Sequence, residues 1–127
     1  LARAMVYRLL GEASEVAGLK VIAEFIPGAD SLELQKIATE FLKQEDVVAL
    51  LASDAEGVKL VASAGQKALN CGINAGSLVR EMSKLVSGGG GGKPALAMGG
   101  GTDPSRIQDA LAHGLELVKE ACKEVCR

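Results

Sequence analysis

Half of the glycines in this chain lie in one short segment, and that segment limits what the chain can fold into. Residues 87–102 read SGGGGGKPALAMGGGT and hold eight of the sixteen glycines. Ordering a glycine costs more backbone entropy than ordering any other residue. The segment is therefore either a flexible strap or a backbone that must approach another group closely.

The same segment carries a cation among its glycines. Lys93 follows the first glycine group, and a second group closes the segment. The two groups are Gly88, Gly89, Gly90, Gly91 and Gly92, then Gly99, Gly100 and Gly101. Unobstructed backbone N–H groups beside a lysine are suited to binding phosphate. The pattern is not a P-loop, because Pro94 follows Lys93.

Basic residues are concentrated around the glycines, although the chain as a whole has a formal net charge of -2. Residues 58–107 hold six basic and two acidic residues, whereas the rest holds eight basic and fourteen acidic residues. This asymmetry favours a nucleic-acid contact. Because aromatic residues make up only 2% of the chain, we expect contacts to phosphate, 2′-OH and RNA shape rather than base stacking. The candidate RNA-binding residues are both glycine groups, Lys67, Asn74, Arg80, Lys84, Lys93 and Arg106.

Hydrophobic periodicity predicts an α/β fold with a single mixed β-sheet flanked by helices. The sheet is mixed because two apolar runs of strand length form a hairpin, with Gly57 at a position that requires positive φ. The first of these runs is apolar on both faces and is expected to be an inner strand. The predicted helices are 1–16, 30–44 (capped by Asp30), 77–86 and one that starts at Asp103-Pro104; the strands are 19–26, 47–53, 58–64 and 95–98; 65–76 is loop.

The first predicted helix carries a wide apolar stripe that includes Met5, Leu9 and Val16. It packs either on its own domain or on a second protomer. We interpret residues 1–18 as the end of a helical dimerisation segment and residues 19–127 as the globular domain. Because the chain begins with Leu1, we expect it to be a piece of a longer protein.

Cysteine usage and hydropathy indicate a cytoplasmic protein. The three cysteines are expected to be small buried or half-buried thiols, and with a single histidine a zinc site is not expected. An odd cysteine count without a signal peptide fits a reducing compartment. The chain has no apolar run of about twenty residues, so no membrane contact is expected.

Three motifs together resemble the C-terminal domain of alanyl-tRNA synthetases, which is similar to the accessory domain of DHH-type phosphoesterases. They are residues 72–76 (GINAG) with 78–81 (LVRE), the glycine-lysine-proline run 88–94, and residues 97–101 (AMGGG). The resemblance covers residues 19–127. It departs from the family pattern at Met98, where glutamine is expected.

The resemblance implies a domain that binds tRNA(Ala) at its elbow, supports aminoacylation and editing, and in some relatives dimerises. It implies no DNA partner and no cofactor in this fragment. The parent ligase would use ATP, Mg and a zinc in its editing domain. Since no adenylation motif or histidine-rich editing site is present, we expect no catalysis by the fragment alone.

Two other functions remain open from the sequence. The first is an oligomerisation module without RNA contact, formed by the apolar terminal helices. The second is the substrate-clamping domain of a DHH-type phosphoesterase. Such relatives place a histidine after their glycines, whereas here Lys93 follows Gly92, which argues against this function.

Overall fold

The computed structural model describes residues 8, 11, 13–16, 18–54 and 57–125. Six strands within these ranges form one sheet: β1 (Ser14–Val16), β2 (Leu19–Phe25), β3 (Val47–Ser53), β4 (Val58–Ala64), β5 (Gly89–Gly92) and β6 (Leu96–Gly101). The α-helices whose bounds lie within these ranges are α1 (Ser31–Phe41), α2 (Gln66–Asn70), α3 (Ala75–Leu85) and α4 (Ile107–Val125). The strand order is β1-β2-β3-β4-β6-β5.

Only β2 and β3 pair in parallel, and the other neighbouring strands pair antiparallel. The predicted α/β fold with a single mixed sheet is therefore confirmed. The β3–β4 hairpin is also as predicted, with Gly57 at φ +93°. At the start of α1, Asp30 Oδ1 accepts a hydrogen bond from Glu33 N at 2.8 Å, which confirms the predicted cap. The helix ends at Phe41, three residues before the predicted boundary.

Helices cover both faces of β3, so that the strand is wholly buried as predicted. On one face, which we call the first core, Val48 and Leu50 join Val79 of α3 and Leu111 of α4. On the other face, the second core, Ala49 and Leu51 join Leu34 and Phe41 of α1. The alternation of side chains along one strand therefore connects two cores.

The predicted N-terminal helix is wrong at its C-terminal end. Residues Ser14–Val16 form β1, which pairs with β2 in a register that sets Val16 opposite Leu19. Gly18, at φ +85°, turns the chain between the two strands. A strand of three residues is too short to show a period of two, and its apolar residue also fits the helical pattern of the residues before it. The remaining part of the predicted helix lies almost entirely outside the described residues.

Two further differences concern residues 65–76 and the cysteines. The predicted loop contains α2, which is bound to the turn before β3 because Lys67 N donates to Glu45 O at 2.8 Å. Cys71 is buried and disulfide-bonded, so that the expected thiol is wrong at this position. A disulfide depends on the approach of two Cα atoms, which sequence spacing does not show.

Candidate nucleic-acid interface

The glycine segment folds as a β-hairpin rather than as a loop. We call residues 89–101 the glycine hairpin. In it, β5 and β6 pair antiparallel with Gly90 opposite Gly99 and Gly91 opposite Met98. β6 also pairs with β4, which leaves β5 at the edge of the sheet. An edge strand directs about half of its backbone N–H and C=O groups away from the sheet.

The hairpin lies close to α3 because glycines occupy the facing positions. A Cβ atom at Gly99 would come within 2.6 Å of both Ser83 Oγ and Val79 Cγ1, and one at Gly90 would come within 2.8 Å of Val79 Cγ1. Real Cβ atoms do not approach other atoms so closely. The close approach expected from the sequence therefore includes an approach to the protein's own helix.

The turn of the hairpin lies against the N-terminus of α3. Lys93 N donates to Leu96 O at 3.1 Å, and Ala75 N donates to Pro94 O at 2.8 Å. Asn74 caps the helix, since its Oδ1 accepts from Ser77 N at 3.1 Å. Lys93 is exposed. An exposed cation, exposed glycine backbone and a helix N-terminus thus lie next to one another.

Arg80 lies on the flank of α3 that faces the hairpin. Gly76, four residues before Arg80, lies close to the hairpin, because a Cβ there would be 2.9 Å from Gly92 O. Ser83, three residues after Arg80, also faces the hairpin, and residues three or four apart share a helix face. Arg80 is exposed, and neither Arg80 nor Lys93 forms an ion pair with a residue that the structure describes. Five residues of helical rise, about 7.5 Å, separate Arg80 from the first residue of α3. We call Lys93, Arg80 and the exposed backbone of β5 the basic flank.

Two further predicted cations lie along the same hairpin but are paired. Lys84 Nζ is 3.1 Å from Glu81 Oε1, and Arg106 Nε is 2.9 Å from Asp109 Oδ2. Thr102 N donates to Val86 O at 2.8 Å, which places the end of β6, and Arg106 beyond it, near the C-terminus of α3. Exposed pairs of this kind are weak and open easily.

Lys67 lies apart from the other predicted RNA-binding residues. Its Nζ is 3.6 Å from the position of a Cβ at Gly18, beside the start of β2. Lys93 follows β5, which is four strand spacings from β2, or about 19 Å. The structure therefore brings together Asn74, Arg80, Lys93 and the glycines, and it does not bring Lys67 to them.

Of the three predicted dimer-interface residues, the structure describes Val16 alone. Met5 and Leu9 lie outside the described residues. Val16 is half-buried in β1 and packs against the first core. The Val16 side chain therefore contacts its own domain.

Sequence reasoning did not assign Lys59 to the site. Lys59 lies on β4, in register with Gly100. The position of Lys59 beside the glycine hairpin depends on strand order, which the sequence does not show.

The described part of the chain gives no indication of a metal centre or a membrane span. Within those ranges, no three His, Cys, Asp or Glu side chains gather closely enough to hold a metal ion. No described helix combines the length and apolarity needed to cross a bilayer.

The fold and the glycine hairpin define a class of small α/β domains with a glycine-rich edge. The chain belongs to the DHHA1 domain family, whose model matches residues 18–123. The family resemblance stated from the sequence is therefore confirmed.

Curated relatives of this chain are alanine–tRNA ligases. One from Methanosarcina barkeri is 91% identical over 97% of this chain and 13% of its own length. One from Halalkalibacterium halodurans is 41% identical over 87% of this chain and 13% of its own length. The chain thus spans 13% of the length of these relatives.

Two solved structures share the fold. The C-Ala domain from Aquifex aeolicus alanyl-tRNA synthetase matches with a TM-score of 0.71 at 25% identity, over 87% of this chain and 96% of that domain. RecJ from Thermus thermophilus matches with a TM-score of 0.68 at 18% identity, over 94% of this chain and 16% of RecJ. The likeness to RecJ shows the fold alone.

Proposed function

We propose that this chain is the tRNA-binding C-terminal domain of an alanine–tRNA ligase and that RNA rests against the basic flank. The observation that carries this proposal is the position of Arg80 and Lys93, two exposed cations without an ion pair among the described residues, beside an edge strand without side chains. The 91% identity to an alanine–tRNA ligase supports tRNA(Ala) as the nucleic acid.

The physical basis is the close approach of an RNA backbone to peptide groups. Outward N–H groups of β5 can donate to phosphate and ribose oxygens, and glycine lets these oxygens come within hydrogen-bonding distance. Arg80 and Lys93 add the charge that releases counterions from RNA. Because the described surface near the hairpin presents no aromatic ring, it recognises shape and backbone rather than base sequence.

The finer role that we propose is the one that the family resemblance implies. A domain that spans 13% of its relatives contributes affinity to sites that lie elsewhere in the ligase. We propose that it docks the elbow of tRNA in the cytoplasm, so that one bound tRNA serves both aminoacylation and editing. ATP, Mg and zinc would belong to those other parts, and dimerisation would be a property of the N-terminal segment that contains Met5 and Leu9.

The proposal is tested by charge removal on the basic flank. The double variant Arg80→Ala/Lys93→Ala should bind a folded tRNA(Ala) transcript about tenfold more weakly at ~0.1 M salt, with a salt dependence reduced by roughly two phosphate contacts. Lys36→Ala is the control, because Lys36 is an exposed cation on α1 without an ion pair among the described residues.

Filter binding or fluorescence anisotropy at several salt concentrations measures the effect. Unchanged affinity of the double variant at low salt would contradict the proposal. Equal affinity of the unmodified chain for folded tRNA and for an unstructured RNA of the same length would contradict recognition of shape.

A further inference from the structure

The glycine hairpin has a second face, opposite α3, that the basic flank does not use. Residues in cross-strand register share a face of the sheet. Lys59, Gly100 and Gly89 form one row across β4, β6 and β5, and Val61, Met98 and Gly91 form the next. Val61 and Met98 pack with the second core, so this face is the one that carries α1.

Glycine at two positions of this face has no explanation within the fold. A Cβ at Gly89 or Gly91 would meet nothing within 4 Å, whereas a Cβ at Gly90 or Gly99 would collide with α3 or the paired strand. Neither Gly89 nor Gly91 has a φ in the left-handed region. Alanine would fit at both sites and would order at a lower entropic cost.

Lys59 is the cation in the row that contains Gly100 and Gly89. It is half-buried, and it forms no ion pair with any residue that the structure describes. Charged side chains that lose water are ordinarily paired. A half-buried lysine that forms no ion pair with a described carboxylate is available to an anion supplied from outside the domain.

The register of the strands places Lys59 in the same cross-strand row as Gly89. Gly89 lies two strand spacings from Lys59, about 10 Å, and the ammonium of an extended lysine reaches roughly half of that distance. A lysine side chain that extends along this row passes over Gly100, which has no side chain to obstruct it. An anion over Gly100 can therefore contact Lys59 while the group attached to it lies on Gly89 and Gly91.

We propose that an RNA strand crosses this face of the glycine hairpin, with one phosphate held by Lys59 and the adjoining ribose against the backbone of Gly89 and Gly91. The inference rests on the proposed function and extends its site from the basic flank, around the edge strand, to the opposite face. RNA would then contact β5 both at the basic flank and on the face opposite α3. Lys59 is the binding residue that this arrangement adds.

A polynucleotide fits this face better than a protein segment does. The row Lys59, Gly100, Gly89 offers one charge and bare backbone, and none of its three members carries an apolar side chain that could anchor a peptide. A ribose-phosphate unit needs only a cation and a flat surface that permits close approach. The apolar side chain of Met98 is half-buried and confined to the inner part of the face.

Two variants of this chain test the inference with a folded tRNA(Ala) transcript. Lys59→Ala should weaken binding about three- to tenfold and reduce the salt dependence by about one phosphate contact. Gly91→Val should weaken binding comparably while leaving the melting temperature unchanged or raised, because valine favours strands and its side chain meets open space. Lys36→Ala again controls for the loss of one positive charge.

The outcomes separate this inference from the proposed function. Wild-type affinity of both Lys59→Ala and Gly91→Val, together with weakened binding of Arg80→Ala/Lys93→Ala, overturns the inference alone. Wild-type affinity of all of these variants overturns both proposals. If Lys59→Ala lowers the melting temperature, Lys59→Gln, which keeps the aliphatic stem and removes the charge, is the deciding variant.

Discussion

Gly99 and Gly89 belong to the same hairpin but differ in their surroundings, and this difference predicts opposite effects of alanine. Gly99→Ala should lower the free energy of unfolding by about 1–3 kcal/mol, because its Cβ would lie 2.6 Å from Ser83 Oγ and Val79 Cγ1 and force the hairpin away from α3. Gly89→Ala, with open space around its Cβ, should change it by less than about 0.5 kcal/mol. Urea denaturation measures both, and equal losses would contradict this packing.

The sequence identifies these glycines as a group but does not show which of them face α3. Composition placed eight glycines together and indicated close approach. Which glycine faces α3 depends on the register of β5 and β6, and a shift by one residue would exchange the two faces. The same limit explains why Lys59 was counted among the basic residues but not assigned to the site.

At the scale of elements, the N-terminus of α3 connects stability with the candidate site. Asn74 caps the helix through its Oδ1. Asn74→Ala should therefore lower the free energy of unfolding by about 1 kcal/mol. Asn74→Asp keeps an acceptor oxygen at the cap and should preserve stability. Its added negative charge beside Lys93 should nevertheless weaken RNA binding if the phosphates lie there.

Denaturation and RNA binding of these two variants separate the roles of Asn74. If Asn74→Asp retains full affinity at low salt, RNA does not approach the N-terminus of α3. If Asn74→Ala retains full stability, the cap hydrogen bond makes no contribution to the fold.

Elements that a cap or turn residue marks were predicted, and those whose conformation comes only from pairing with a neighbouring strand were not. The start of α1 and the β3–β4 hairpin followed from Asp30 and Gly57, each of which acts on neighbouring residues. β5 consists only of glycine and has no intrinsic strand preference. It is a strand because β6 pairs with it and α3 packs over it. β1 was missed for the same reason, since its strand conformation comes from pairing with β2.

At the scale of the whole molecule, the two cores are expected to unfold together because β3 belongs to both. Leu50→Ala, in the first core, should lower the free energy of unfolding by about 2–5 kcal/mol, and Phe41→Ala, in the second core, by about 3–5 kcal/mol. Leu32→Ala is the control, since Leu32 is 58% exposed on α1 and should change it by less than about 0.5 kcal/mol.

Hydrogen exchange of the amides distinguishes joint from separate unfolding. If the cores are coupled, Phe41→Ala should speed exchange in the globally protected amides of β4 and α4 as well as in α1, because the loss of the second core exposes one side of β3 and β3 carries the hydrogen bonds of both neighbours. Faster exchange confined to α1 would show that this helix opens independently. The sheet with α3 and the glycine hairpin would then be the unit that must stay folded for RNA to bind.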